Sequence, residues 1–284
     1  MENKEQLFTS RVLTEPQGFT AGIEGPGCDA QGILYAVNYA EQGTIGRVTP
    51  EGDCSVFLNM PGTSIGNGIR FTRAGEMLIA DYVNHNVWKV DMATKAMTVL
   101  GHSPDMNQPN DIAITANDIV LASDPNWGNN TGNIWRITPD GTVTLLESDM
   151  GTTNGIEVSA DEKTLYVNES VQRRIWSYDL SPDGSVSNKR LFIEFPDFGL
   201  DGMRCDAEGN VYCTRFGKGT IVKISPEGKI LEEIQLHGKN CTNLTFGGRD
   251  GRTVYVTVAD NGNVETFRVD IPGRDRVLCG AVTL

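Results

Sequence analysis

The chain has 284 residues, and 24 Lys+Arg against 37 Asp+Glu leave a formal net charge of −13. That length suits one large all-β domain or two ordinary ones, while the acidic balance argues against nucleic acid, whose recognition needs a basic footprint. No apolar run approaches the roughly 20 residues needed to cross a bilayer, and the opening MENKEQLFTSRVLTEPQG lacks the apolar stretch of an export signal.

A soluble, cytoplasmic protein with neither a membrane nor a nucleic-acid partner is therefore expected, its oligomeric state open. The 32 glycines suit many tight turns. The six cysteines, Cys28, Cys54, Cys205, Cys213, Cys241 and Cys279, form no CxxC pair and read as free thiols. Cys205 and Cys213 flank a predicted hairpin, which leaves a cross-strand disulfide open as the alternative.

In chain order, Phe8–Leu13 has the composition of a strand, and a repeat begins at Glu24. The stretch NGIRFTRAGEMLIADYVNHNVWKVD (67–91) recurs at 110–141, 154–184 and 201–228, with looser copies at 24–52 and 243–270. The lead residues Glu24, Asn67, Asn110, Asn154, Asp201 and Asn243 stand 43, 43, 44, 47 and 42 residues apart. Each copy predicts a short strand, a Gly/Asp/Asn turn, and a second strand rich in β-branched and aromatic residues. A third strand carries Trp88, Trp135 or Trp176 at an equivalent position, and Pro-Glu-Gly or Pro-Asp-Gly turns follow at 50–52, 139–141, 182–184 and 226–228. A fourth strand leads into the next copy.

Four strands per period of about 44 residues is the signature of a propeller blade. The prediction is an all-β, six-bladed β-propeller of four antiparallel strands per blade, forming a single domain over 1–284. The last copy lacks a fourth strand, so residues 8–13 are expected to complete that blade and close the ring. The tail RVLCGAVTL (276–284) competes for that place.

In a propeller the first strand of each blade lines the central channel, so the six lead residues form a ring at one mouth. All six carry oxygen. The plain reading is that they solvate the mouth and bond neighbouring loops, and Asn67 and Asn243 fit it best, with Asn67 also a candidate substrate contact. Two carboxylates and two carboxamides converging on an axis would instead suit a hard divalent cation with open positions for water. His85, His102 and His237 fall in loops on the same face but away from the lead positions, and no Cys/His spacing suggests zinc.

These residues resemble the SMP-30/gluconolactonase family of six-bladed propellers, which includes luciferin-regenerating and diisopropylfluorophosphatase-like members. The resemblance spans essentially the whole chain. Its motifs are Ile23-Glu24-Gly25-Pro26, Pro109-Asn110-Asp111, Thr153-Asn154-Gly155-Ile156 with Leu165-Tyr166-Val167, and Leu200-Asp201-Gly202-Met203 with Asp206-Ala207-Glu208-Gly209-Asn210. It implies one divalent cation at the axis, calcium first and Mg, Mn, Zn or Fe(II) next, held by Glu24, Asn110, Asn154 and Asp201. It also implies hydrolysis of a small-molecule lactone, a sugar-acid lactone or a related small lactone, with Asp201 as the base that activates water and Asn110 also holding substrate. Chemistry by itself leaves Asp201 and Glu24 open, because an amide cannot serve as base.

Gln108 stands where some members carry an arginine thought to grip sugar hydroxyls. A charge-assisted bond is thereby lost, which moves the expectation away from gluconolactone itself. Pocket walls are expected from 38–44, 81–86, 124–133, 168–173, 215–219 and 260–263; Trp127 reads first as loop packing, with a stacking wall for substrate as the alternative. Arg215 and Lys218 are candidates for steering an anionic substrate. Two other functions compete. One is a phosphotriesterase-like hydrolase in which Asp201 attacks as nucleophile; the other is a non-catalytic propeller that serves as a binding platform.

Overall fold

A computed structural model describes residues 6–282. Six four-stranded antiparallel sheets follow one another around a ring. The inner strands are Phe19–Cys28, Gly66–Phe71, Ile112–Ile114, Thr153–Val158, Met203–Cys205 and Cys241–Gly247. They fall where the repeat places them.

The blades hold together because their middle strands are apolar on both faces, as expected of strands buried on two sides. In Met77–Asp81, Met77 and Ile79 pack into a cluster shared with the first blade, whereas Leu78 and Ala80 pack with Ile112, Val120 and Trp135 of the third. Side chains alternate across a strand, so one five-residue strand serves two inter-blade cores. The three repeat tryptophans are equivalent in register, paired with Ile79, Ala122 and Val167. Trp88 and Trp135 donate their indole N–H to Asp81 and Asp124. In the fourth blade Glu169 takes the place of that aspartate; the Trp176 N–H has no partner, and Lys189 and Arg174 lie over the ring.

The ring closes as the N-terminal segment predicts. Arg11–Val12 pairs with the third strand of the last blade, Arg11 opposite Thr266 and Val12 opposite Glu265. The competing tail forms no strand in its described part. Arg274–Leu278 is a short helix, and residues 283 and 284 lie outside the described region. Two buried arginines anchor this helix. Arg274 reaches the carbonyls of Ile114 and Ser159 and the Glu162 carboxylate, and Arg276 reaches the carbonyls of Asp29 and Ala30. A segment hydrogen-bonded to the first, third and fourth blades is drawn across the channel at the end opposite the lead residues.

All six cysteines are free. Register explains why Cys205 and Cys213 do not pair: Cys213 stands opposite Met203, and Cys205 opposite Val211.

Candidate functional site

Each lead residue sits where an inner strand enters the channel, and the residue after it shows why the motif repeats. A Cβ on Gly202 would overlap the carboxamide of Asn243, and one on Gly25, which has φ +52°, would overlap the carbonyl of Asn67. In the first, second, fourth and fifth blades neighbouring inner strands approach so closely at the axis that glycine is needed there, whereas Asp111 and Leu244 follow the lead residue in the third and sixth. Backbone bonds between blades fix the approach, Gly68 N to Asn110 O and Gly202 N to Thr242 O, both at 2.8 Å.

Five of the six lead residues, Glu24, Asn67, Asn110, Asn154 and Asp201, line one cavity of about 300 Å³ at the channel mouth. Gln108, Tyr82 and Trp127 form part of its wall. The sixth lead residue, Asn243, lies beneath. Its Nδ2 donates to Glu24 Oε2 at 3.0 Å and to Asp111 Oδ2 at 3.3 Å. Glu24 Oε2 also accepts from Gly25 N.

The polar chemistry of this floor is incomplete within the protein. Oδ1 of Asn67, Asn110, Asn154 and Asp201 are all buried without a hydrogen-bond partner. Buried oxygens are rarely left so unless something else meets them. Glu24 and Asp201 interact with one another, and both are pushed above the ordinary carboxyl range by burial first. The Asp111 charge adds to the shift of Glu24, and the Glu24 charge to that of Asp201. Two crowded carboxyls and unpartnered amide oxygens make a donor set that suits a hard divalent cation. Among the described residues, no group of three or more His, Cys, Asp or Glu side chains gathers as a metal cluster.

Below the floor, buried charges continue down the channel. Asp111 pairs with Arg70 and Arg204, each at 3.2 Å. Glu157 lies 3.5 Å from Arg70 and 3.7 Å from Arg274. This column was not legible in the sequence, although one signal was present: Arg70, Glu157 and Arg204 stand at the same offset, three residues after Asn67, Asn154 and Asp201.

Other expected site residues lie elsewhere. Arg215 does not line the cavity: its side chain is 2% exposed, paired with Asp197 at 2.7 Å and stacked over Phe195. Lys218 is engaged by Glu233 at 2.6 Å. Neither cation is free to steer an anion, since each already has a carboxylate. His102 bonds the His85 carbonyl and Asn86, and His237 bonds Glu265; none of the three histidines lines the cavity. Of the expected wall segments only 81–86 and 124–133 contribute, through Tyr82 and Trp127, while Ala21, Gly22, Ile23 and Thr242 were not foreseen.

The model of the SMP-30/Gluconolactonase/LRE-like region matches residues 23–260. The chain belongs to this family. Among relatives, a gluconolactonase of Zymomonas mobilis is 27% identical over 274 residues, covering 84% of this chain and 76% of its own. A pentonolactonase, XacC, of Haloferax volcanii is 33% identical over 131 residues, about 45% of each chain. A 6-deoxy-6-sulfogluconolactonase of Pseudomonas putida is 29% identical, covering 51% of this chain and 55% of its own. Past the first of these, the chain spans about half the length of the relatives it matches. Among solved structures, a calcium-binding regucalcin of Agrobacterium tumefaciens superposes with a TM-score of 0.80 at 23% identity, over 94% of this chain and 95% of its own. At that identity the likeness speaks for the shared propeller fold.

Proposed function

We propose that this family member hydrolyses a small lactone with the help of one divalent cation bound at the mouth of the channel. The observation that carries the reading is the set of unpartnered Oδ1 atoms of Asn110, Asn154 and Asp201, meeting Glu24 at the floor of one cavity. The names of the relatives, gluconolactonase, pentonolactonase and sulfogluconolactonase, support the reaction class. The calcium-binding regucalcin supports the choice of metal.

Glu24, Asn110, Asn154 and Asp201 would hold the cation, calcium first and Mg, Mn, Zn or Fe(II) after it. The chemistry such a cation supplies when bound is polarisation of the lactone carbonyl and stabilisation of the oxyanion that develops. Asp201 takes a proton from the attacking water through its carboxylate, and the proton then passes to the ring oxygen as the C–O bond breaks. Asn243 orients Glu24 from below. Asn110, Asn67 and Gln108 present amides to the substrate's ring and carbonyl oxygens, and Trp127 packs against its face. Water adds, the ester bond opens, and a hydroxy acid leaves.

The test is a panel of lactones assayed after chelation, with Ca, Mg, Mn, Zn and Fe(II) added back one at a time. Activity should vanish on chelation and return with one or more ions. Full activity after chelation would falsify the metal-assisted reading. Hydrolysis of organophosphates in preference to every lactone would transfer the site to the phosphotriesterase-like reading.

A further inference from the structure

The loops around the cavity mouth carry an unusual surface. Among the described residues every exposed large aromatic side chain, Trp127, Phe198 and Phe216, lies on this face, and Val83 and Val171 are exposed beside them. The remaining exposed aliphatics lie mostly singly on outer strands, as is ordinary for a soluble surface. These do not.

The residues on the third to fifth blades form one rim. Gln172 Nε2 donates to the carbonyl of Asn130 and so ties the loop after Val171 to the loop after Trp127. A Cβ on Gly199 would touch both Ser170 and Phe216, and one on Gly217 would touch Phe198, so Phe198 and Phe216 are neighbours beside the residue that precedes Val171. Trp127 belongs to both places. It lines the cavity with Asn110 and Asp201, and it is 43% exposed at the start of the rim.

Charge on the same rim is only partly paired, since Arg173 beside Val171 and Lys239 beside Gly217 stay exposed. No lysine or arginine lines the cavity among the described residues. In the loop of the fifth blade, Arg215 turns inward to Asp197 and Lys218 pairs with Glu233, while Phe216 between them faces solvent. A net charge of −13 also sets this surface against anionic partners, including an acidic lipid surface.

We propose that the substrate is a lactone bearing an apolar substituent, which leaves the cavity over Trp127 and lies on Val171, Phe198 and Phe216. This rests on the lactone-hydrolase reading and narrows it. The lactone ring meets the polar floor, and the substituent gains from burial against the rim. An unsubstituted or fully hydroxylated lactone gains nothing there.

The test compares γ-butyrolactone, its 4-alkyl derivatives with two- to six-carbon chains, and glucono-δ-lactone, using the cation-loaded full chain. The ratio kcat/KM should rise at least about twofold per added methylene, against about fourfold for complete burial. The triple variant Val171→Ser, Phe198→Ser, Phe216→Ser should flatten that series. Calorimetric binding of 2-alkylcyclopentanones, which carry no ester bond, supplies a readout independent of turnover. If these ketones bind more tightly with chain length and the triple variant loses the trend while no lactone is opened, recognition of an apolar substituent by the rim stands, but the ligand is not a lactone substrate and the hydrolase reading fails. A flat alkyl series, or preference for glucono-δ-lactone, overturns the rim proposal and leaves the hydrolase reading intact. So does a concentration-dependent dimer, or binding to phosphatidylcholine vesicles, that the triple variant abolishes, because the rim would then serve a different occupant.

Discussion

Asn243 holds Glu24 from beneath, with Nδ2 at 3.0 Å from Oε2, and the same nitrogen lies 3.3 Å from the buried carboxylate of Asp111. One amide thus stands between two carboxyl groups from the first and third blades. It joins the cavity floor to the Arg70–Asp111–Arg204 ion pairs of the channel.

Replacing Asn243 by Leu keeps most of its volume and removes the donor. Glu24 then loses a bond that fixes its rotamer, so affinity for calcium should fall roughly 10- to 100-fold, as when an outer-shell partner is lost. Stability should drop by about 1–3 kcal/mol, because acceptors are left buried. Calorimetric titration of the chelated variant with calcium measures the first quantity, and a dissociation constant within twofold of the parent would contradict the positioning role.

Asp201→Asn keeps the shape of the side chain and removes the proton acceptor. Turnover of a lactone substrate should fall roughly 10²- to 10⁴-fold, the usual scale for loss of a general base. Thermal unfolding should change little or improve, because the carboxyl is buried beside Glu24 and ionises there at a cost. An active Asn variant would remove Asp201 from the chemistry.

Gly202→Ala tests the close approach of blades at the axis. The added methyl overlaps the Asn243 carboxamide, and relieving that overlap displaces either a strand or the Glu24 partner. A loss of about 3 kcal/mol or more is expected, at the upper end of overpacking effects, together with weaker calcium binding. Gly128→Ala is the control, since its nearest neighbour is Asn126 Oδ1 at 3.7 Å. Equal melting temperatures for the two variants would refute the packing account of the motif.

Glu157 gives the channel a pH dependence. Burial first, and the Asp275 charge second, push its carboxyl up to about 7 against the opposing Arg70, Arg274 and Arg204. A carboxyl whose folded value lies above its unfolded one holds its proton more tightly when folded. Its contribution is therefore complete below about pH 4.5 and is lost as pH rises through about 7, on the order of 3 kcal/mol across that window. Glu157→Gln keeps the neutral form at every pH. Relative to the parent, the variant should gain stability between pH 5 and 8, read from denaturant midpoints at fixed calcium. A gap that stays constant over that range would show the carboxyl to be ionised throughout.

Much of the fold was legible because a propeller repeats itself. Six lead residues at nearly constant spacing located every inner strand, and the missing fourth strand of the last copy pointed to the N-terminal segment that completes it. The ring of oxygen-bearing side chains was legible for the same reason. Equivalent positions in equivalent blades must face a common axis, and five of the six meet at one cavity.

Periodicity by itself thus determined the number of blades, the position of the ring and the oxygen chemistry of its floor, because a repeat encodes local structure that each copy states again. Only the tertiary structure decided what Arg215 and Phe216 do, one turned in to Asp197 and the other out to solvent. It alone decided that Asn243 stands under Glu24, and that a helix held by Arg274 and Arg276 crosses the far end. Those outcomes depend on partners from different blades or from the tail. The members of each pair fall in different copies or in the tail, so no single copy could announce it.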